Sequence, residues 1–222
     1  MKLAIFDFDG TLLMRDTLPV LGKEWIRQKR SRVKYITTYL VIIPLLAIYK
    51  MGLLTRERFK LSVVRKFNRL FRNMSQEEIG AFFAATYEGM VDLFNPQVLD
   101  ELKALRAQGY CCILLSGAYS TLLQTVAENL GIEMVIGTEL IYQNGIFDHH
   151  KELDIIDGPG KLEVLKRVVP SWETVDWQAS RSYGDSYSDR FVMEIVGEPV
   201  AVNPDPRLLD YARQRGWRII PG

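Results

Sequence analysis

The sequence has few residues of the kinds that cross-link a chain or anchor it in a membrane. Its two cysteines, Cys111 and Cys112, are adjacent within an apolar run, which predicts buried strand residues in a reducing compartment rather than a disulfide framework. The longest uncharged stretch, residues 35–49, is shorter than the roughly 18 residues that a membrane-spanning helix needs. The chain becomes acidic by Asp7, which is not typical of a signal peptide. We therefore expect a cytoplasmic protein, and the basic segment described below also allows association with a membrane.

Acidic residues are scarce in one part of the chain. Residues 15–75 contain fifteen Lys and Arg residues but three Asp and Glu residues, whereas the whole chain carries a net charge of +1. This asymmetry predicts two modules with different surroundings. The basic module either meets phosphates or an anionic membrane surface, or it presents a solvated helical face. We expect no nucleic-acid partner.

Strand-like apolar segments alternate with helix-like segments along most of the chain. This alternation predicts an α/β fold, with a mostly parallel sheet and helices on both of its faces. Residues 14–85 carry no strong strand signal and interrupt the alternation directly after the first strand. We predict that they form an inserted, all-helical cap, and that residues 1–13 and 86–222 form a discontinuous core.

Local start and stop signals support this division. Ser75 with Glu78 three residues later is typical of a capping box at a helix start. Pro96 and Gly109 predict the two ends of one core helix. The Asn-Gly pair at 144–145, between two short apolar runs, predicts a hairpin.

Polar residues follow the predicted strands, at the edge where open α/β sheets bind ligands. They are Asp7, Asp9 and Thr11 after the first strand, Ser116 and Gly117 after the second, Lys161 at a helix start, and Asp185 and Asp189 in GDSYSD. Four carboxylates in one crevice repel each other unless a cation lies between them, and Mg²⁺ prefers oxygen ligands combined with a substrate phosphate. The set therefore predicts a Mg²⁺ site for phosphoryl transfer. The stretch DGPGKL lacks the glycine spacing of a P-loop and the Ser or Thr after Lys, which disfavours an NTPase.

Four stretches of the sequence resemble the motifs of the haloacid dehalogenase (HAD) superfamily phosphatases. They are DFDGTLL, LLSGAYS, GPGK and GDSYSD, in the order and at the spacing of that family. The helical insertion after the first motif is similar to the cap of subfamily IB, the phosphoserine-phosphatase-like branch. The resemblance implies a Rossmann-like core and a Mg²⁺-dependent phosphatase acting on phosphate monoesters.

The resemblance also implies roles for the acidic residues. Asp7 would be the nucleophile that forms an aspartyl-phosphate, and Asp9 would be the general acid for the leaving alcohol and then the base for water. Lys161 would neutralise charge on Asp7 and on the phosphate. Mg²⁺ would be held by Asp7, by the backbone carbonyl of Asp9 and by Asp185. Asp189 would support the metal site or Lys161.

Substrate binding is implied for a second set of residues. Thr11, Ser116 and backbone N–H groups, including that of Gly117, would hold the phosphoryl oxygens. Phosphoserine phosphatases use an acidic residue shortly after the first motif to hold the substrate ammonium, and Asp16 stands near that place here. They also use a cap Arg for the carboxylate, and no Arg aligns with it here, so phosphoserine is not favoured.

The predicted cap contains an apolar segment between basic residues. The flanking cations are Lys29, Arg30, Arg32, Lys34 and Lys50. Such a segment suits an anionic bilayer surface, and similar caps occur in phosphatidylglycerophosphatase-like members of the family. The same residues could instead form the core of the cap or a dimer interface. The substrate is thus either a small phosphorylated metabolite or a lipid phosphate.

Two other classes of function are compatible with the sequence. One is a membrane-surface or lipid-binding module with little turnover, and the four intact motifs disfavour it. The other is a mutase or dehalogenase with the same nucleophile, and a dehalogenase would not need the metal pocket at Asp185.

Overall fold

The computed structural model describes residues 1–222, except for the side chains of residues 56 and 57. The strands are β1 (Leu3–Phe6), β2 (Cys111–Tyr119), β3 (Met134–Thr138), β4 (Tyr142–Gln143), β5 (Ile146–Phe147), β6 (Arg181–Gly184), β7 (Glu198–Val202) and β8 (Arg218–Ile220). The α-helices are α1 (Thr17–Arg27), α2 (Arg32–Lys50), α3 (Arg56–Phe67), α4 (Gln76–Glu88), α5 (Pro96–Ala107), α6 (Ser120–Leu130), α7 (Pro159–Val168), α8 (Arg190–Met193) and α9 (Pro206–Arg215).

Six strands form one parallel sheet, in the order β3-β2-β1-β6-β7-β8. Side chains alternate between its faces: Ala4 and Phe6 join one apolar cluster, whereas Leu3 and Ile5 join another. Helices α5 and α6 contribute to the first cluster and α7 and α8 to the second, so β1 is buried on both faces. The predicted mostly parallel sheet with helices on both faces is confirmed.

A helical insertion, comprising α1 to α4, follows β1. The segments before and after the insertion lie side by side, because the Asn95 N–H donates to Leu12 O over 2.9 Å and the Met14 N–H donates to Leu93 O over 2.9 Å. Helix α4 ends at Glu88, three residues beyond the predicted cap boundary at 85. The division into a core and a cap stays our prediction.

The predicted hairpin is present as β4 and β5. Asn144 and Gly145 have φ angles of 51° and 78°, as a two-residue hairpin turn of type I′ requires. The hairpin also touches the insertion, because Phe147 N–H donates to Met74 O over 2.9 Å. The predicted capping box at the start of α4 is present as well.

Helix α2 presents an apolar stripe to the outside. The stripe consists of Val33, Ile36, Leu40 and Ile43, whose exposed fractions are between 55% and 72%. Among the described residues, α2 is also the helix that is long and apolar enough to cross a membrane by length and composition. The expectation that no segment reaches this length is therefore wrong. The expectation was based on the uncharged residues 35–49 alone, whereas helix α2 also includes charged residues at both ends and runs from Arg32 to Lys50.

Candidate active site

A buried lysine joins two aspartates at the centre of the site. Asp7 directly follows β1, Lys161 lies in the first turn of α7, and Asp189 precedes α8. The Lys161 ammonium donates to Asp7 Oδ1 and to Asp189 Oδ1, over 2.6 Å in each case, and all three side chains are buried. Buried charges are tolerated when paired in this way and are costly when unpaired. The structure thus brings together three of the predicted site residues.

A third aspartate joins the same cluster. Asp7, Asp185 and Asp189 each offer a carboxylate oxygen, and these oxygens lie within 4.8 Å of one another. Gly10 permits this approach: its φ is +79°, and a Cβ atom there would lie 2.5 Å from Asp185 Oδ2. The three carboxylates together carry more negative charge than the Lys161 ammonium can balance. Carboxylate oxygens are the ligands that Mg²⁺ prefers, so the donor set fits a divalent cation.

The protonation of the Asp7–Lys161 pair is set by burial and by charge. Burial and the negative charge of Asp189 raise the pKa of Asp7 to about 7, against the opposing effect of the positive charges of Lys161 and Lys60. Burial alone would lower the pKa of Lys161, but Asp189 and Asp7 raise it above its usual value. Lys161 therefore stays charged, and a divalent cation beside Asp7 would favour its ionised form.

Asp9 occupies different surroundings from Asp7. Its Oδ1 accepts hydrogen bonds from the Thr17 backbone N–H, over 2.9 Å, and from the Thr17 hydroxyl. The carboxylate thus satisfies a free N–H group in the first turn of α1. Asp9 does not belong to the described carboxylate cluster. Burial raises the pKa of Asp9, while the positive charge of Lys60 and the hydrogen bonds from Thr17 oppose the rise.

Lys60 is a site residue that the sequence reasoning missed. It extends from α3 into the cleft that Asp7, Asp9 and Lys161 also line. Lys60 is exposed over part of its surface; desolvation of its ammonium in the cleft would lower its pKa, but the nearby Asp9 and Asp157 contribute to raising it, so Lys60 adds a positive charge to that of Lys161. Nothing in the sequence singles it out, because it is one of many cations in the helical insertion.

The predicted phosphate-binding residues lie near the strand ends. Ser116 and Gly117 belong to an irregular stretch of β2, where the pairing with β3 shifts between Leu115 and Tyr119. Gly117 lies close to the opposite backbone, since a Cβ atom there would be 2.8 Å from Ile156 O. The Ser116 hydroxyl is buried and accepts from the Ala118 N–H over 3.3 Å.

Thr11 and Asp16 complete the predicted set. The Thr11 hydroxyl is fully buried and has no hydrogen-bond partner among the described residues. A buried hydroxyl of this kind needs a partner, and a bound oxyanion would supply one. Asp16 is exposed and lines the same cleft as Asp7 and Asp9.

Asp205 supports the loop that carries Asp185 and Asp189. Its carboxylate accepts from the Tyr187 N–H over 3.1 Å, and its own N–H donates to Asp185 O over 2.8 Å. Asp205 is also the N-cap of α9, where its carboxylate accepts from the Leu208 N–H. Sequence reasoning missed Asp205, because its contact with the loop after β6 joins two segments that are separated in the sequence.

Known proteins resemble this chain in sequence and in fold. The model of the haloacid dehalogenase-like hydrolase family matches residues 4–194. Phosphoserine phosphatase SerB1 of Mycobacterium tuberculosis is 34% identical over 106 residues, which cover 48% of this chain and 34% of that protein, so the match spans about a third of the relative's length. Histidinol-phosphatase of Neisseria meningitidis is 26% identical over 231 residues, which cover 99% of this chain and 98% of that protein.

A solved structure supports the same fold. A substrate-bound phosphoserine phosphatase superposes with a TM-score of 0.67 at 18% identity, over 100% of this chain and 93% of that one. The resemblance to the phosphoserine-phosphatase-like branch is confirmed. The chain belongs to the haloacid dehalogenase-like hydrolase family.

Proposed function

We propose that this protein is a Mg²⁺-dependent phosphatase that hydrolyses phosphate monoesters through an aspartyl-phosphate on Asp7. The observation that carries the proposal is the buried contact of Lys161 with Asp7 and Asp189, beside Asp185. It combines a carboxylate at a strand end with a fixed ammonium and a set of oxygen ligands. Phosphoryl transfer requires positioned groups of this kind, because charge neutralisation and orientation supply most of its catalysis.

In the first step a carboxylate oxygen of Asp7 attacks phosphorus. A bond forms between that oxygen and phosphorus, and the bond between phosphorus and the ester oxygen breaks. Lys161 holds Asp7 in place and neutralises charge on the phosphoryl group. Thr11, Ser116 and the Gly117 N–H bind the phosphoryl oxygens.

Asp9 moves the proton in both steps. Its raised pKa favours the protonated form, which donates to the leaving ester oxygen. The resulting carboxylate then takes a proton from the water that hydrolyses the aspartyl-phosphate. The Thr17 hydrogen bonds keep the Asp9 side chain at the start of α1, apart from the carboxylate cluster.

The residues that would hold Mg²⁺ are the carboxylates of Asp7 and Asp185 and the backbone carbonyl of Asp9. Asp189 holds Lys161 beside them. A bound Mg²⁺ supplies positive charge that neutralises the phosphoryl oxygens and favours the ionised form of Asp7.

Hydrolysis of p-nitrophenyl phosphate tests the proposal. We expect turnover that needs Mg²⁺, and a loss of at least ~10³-fold in Asp7→Asn. Asp100→Asn, which changes an exposed acid on α5, is the matched control and should keep full activity. Activity in Asp7→Asn, or in excess chelator, would contradict the mechanism.

The relatives favour a small phosphate monoester as the substrate. Two of them carry the names phosphoserine phosphatase and histidinol-phosphatase, and both names denote esters of small alcohols. A lipid phosphate is the second candidate, and it finds no support among these relatives. A screen of phosphorylated metabolites beside lysophospholipid phosphates decides between the two.

Contact with a membrane surface is a separate candidate function that one observation favours. The exposed stripe of α2 lies between basic residues at both ends of the helix. Sedimentation with anionic and with zwitterionic vesicles tests it: anionic vesicles should bind the protein, and Leu40→Asp should abolish binding. Val91→Asp, which changes an exposed apolar residue outside α2, is the control. Equal sedimentation of Leu40→Asp and the unchanged protein would contradict membrane contact through α2.

A further inference from the structure

A second, apolar cavity opens beside the carboxylate cleft. Its volume is about 410 Å³, which is within the range of small-molecule sites. At ~30 Å³ for one water molecule, it has room for on the order of a dozen water-sized groups. Under the proposed function the phosphoryl group binds in the acidic cleft, so this space is available for the rest of a substrate.

The two spaces are continuous. Asp9, Asp16 and Lys60 line both the acidic cleft and the apolar cavity. Asp9 is the group that protonates the leaving ester oxygen under the proposed function. The atoms attached to that oxygen must therefore continue from Asp9 into the cavity.

The walls of the cavity beyond this junction are apolar. Ile42 and Leu46 come from α2, Phe59 and Val63 come from α3, and Tyr119 comes from the end of β2. The described charged residues of the lining are those shared with the acidic cleft. An apolar group gains free energy by leaving water in such a space, whereas a charged group loses its hydration without gaining a partner.

We propose that the leaving group of the substrate is an apolar chain or ring that fills this cavity. The inference rests on the proposed function and adds the class of substrate. Asp16 and Lys60 lie at the junction, so polar atoms next to the ester oxygen find partners there. A zwitterionic leaving group as short as serine would leave most of the cavity without a contact.

A series of unbranched alkyl phosphates tests the inference in the unchanged protein. Ethyl, butyl, hexyl and octyl phosphate are compared with phosphoserine, and release of inorganic phosphate gives kcat/KM. We expect kcat/KM to rise by up to about four-fold for each CH₂ group that enters the cavity, until it is full. Phosphoserine should not exceed ethyl phosphate. A flat series, or phosphoserine as the best substrate, would overturn the inference while leaving the phosphatase proposal intact. Absence of Mg²⁺-dependent turnover with every ester would instead refute the phosphatase itself.

A variant pair locates the effect in the cavity. Leu46→Asp places a carboxylate in the lining, at a residue that is 39% exposed and therefore tolerant of a polar group. We expect it to lower the octyl-to-ethyl ratio of kcat/KM at least ten-fold. Ile43→Asp changes a neighbouring residue of α2 that is 57% exposed and is not part of the lining, and its ratio should not change. An equal fall in both variants, or in neither, would contradict the assignment.

The source of the apolar group is decided by a third comparison. Phosphatidic acid in phosphatidylcholine vesicles is offered beside soluble octyl phosphate. Turnover of both supports the inference with a bilayer lipid as the source, and turnover of octyl phosphate alone supports it with a free metabolite. Turnover of neither, in an enzyme that hydrolyses ethyl phosphate, would refute it.

Discussion

Lys161 is the residue whose replacement should reveal how the site is held together. Lys161→Met keeps the length of the side chain and removes the ammonium that lies 2.6 Å from both Asp7 Oδ1 and Asp189 Oδ1. Two buried carboxylates then face each other without a cation. Breaking a buried ion pair by removing one partner costs ~3–5 kcal/mol, so we expect the free energy of unfolding to fall by about that amount.

Urea denaturation in the presence of a chelator measures this change. Lys103→Met is the matched control: its ammonium is 3.8 Å from Asp100 Oδ1, both side chains are exposed, and its loss should cost less than ~1 kcal/mol. Adding Asp189→Asn to Lys161→Met should recover at least ~1 kcal/mol, because one of the two unpaired charges is then absent. If Lys161→Met lowers the free energy of unfolding no more than Lys103→Met does, the buried triad of Asp7, Lys161 and Asp189 does not stabilise the site and this reasoning is refuted.

Three other variants test the surroundings of the triad. Gly10→Ala should weaken Mg²⁺ binding and destabilise the fold by ~1–2 kcal/mol, because the φ of Gly10 is +79° and the new Cβ atom would meet Asp185. A Mg²⁺ titration measures the first effect and a thermal melt measures the second. An unchanged affinity and an unchanged melting temperature would contradict the close approach of Gly10 to Asp185. Asp9→Asn should slow turnover by ~10²–10⁴-fold but change the Kd for Mg²⁺ by less than about two-fold, and a loss of metal affinity as large as in Asp185→Asn would show that the roles are wrongly assigned. Asp205→Ala should lower Mg²⁺ affinity by about 10–100-fold by releasing the loop after β6, and an unchanged affinity would show that the loop holds its shape unaided.

Patterns within short segments predicted most of the fold. The apolar run of β1 and the Asn-Gly turn at 144–145 depend on neighbouring residues alone, and both are present in the structure. The order of the strands places Asp7 and Asp185 on adjacent strand ends, so the central acidic site could also be expected. Residues at such strand ends converge because the parallel sheet aligns them.

Contacts between distant segments could not be predicted in the same way. Lys60 enters the cleft because α3 packs over it, and no feature of the sequence fixes the rotation of that helix. The Thr17 N–H donates a hydrogen bond to the Asp9 carboxylate because α1 begins beside the loop after β1. The apolar cavity depends on the packing of α2 and α3 together, so its lining could be identified only in the folded chain.

The central claim is that Asp7 carries the phosphoryl group. Asp9→Asn should slow the hydrolysis of the intermediate, so brief incubation with Mg²⁺ and p-nitrophenyl phosphate, followed by acid quenching and peptide mass spectrometry, should trap it. We predict a phosphoryl adduct on Asp7 that is absent in Asp7→Asn and in chelator. An adduct on another residue, or turnover by Asp7→Asn at the rate of the unchanged protein, would contradict the account.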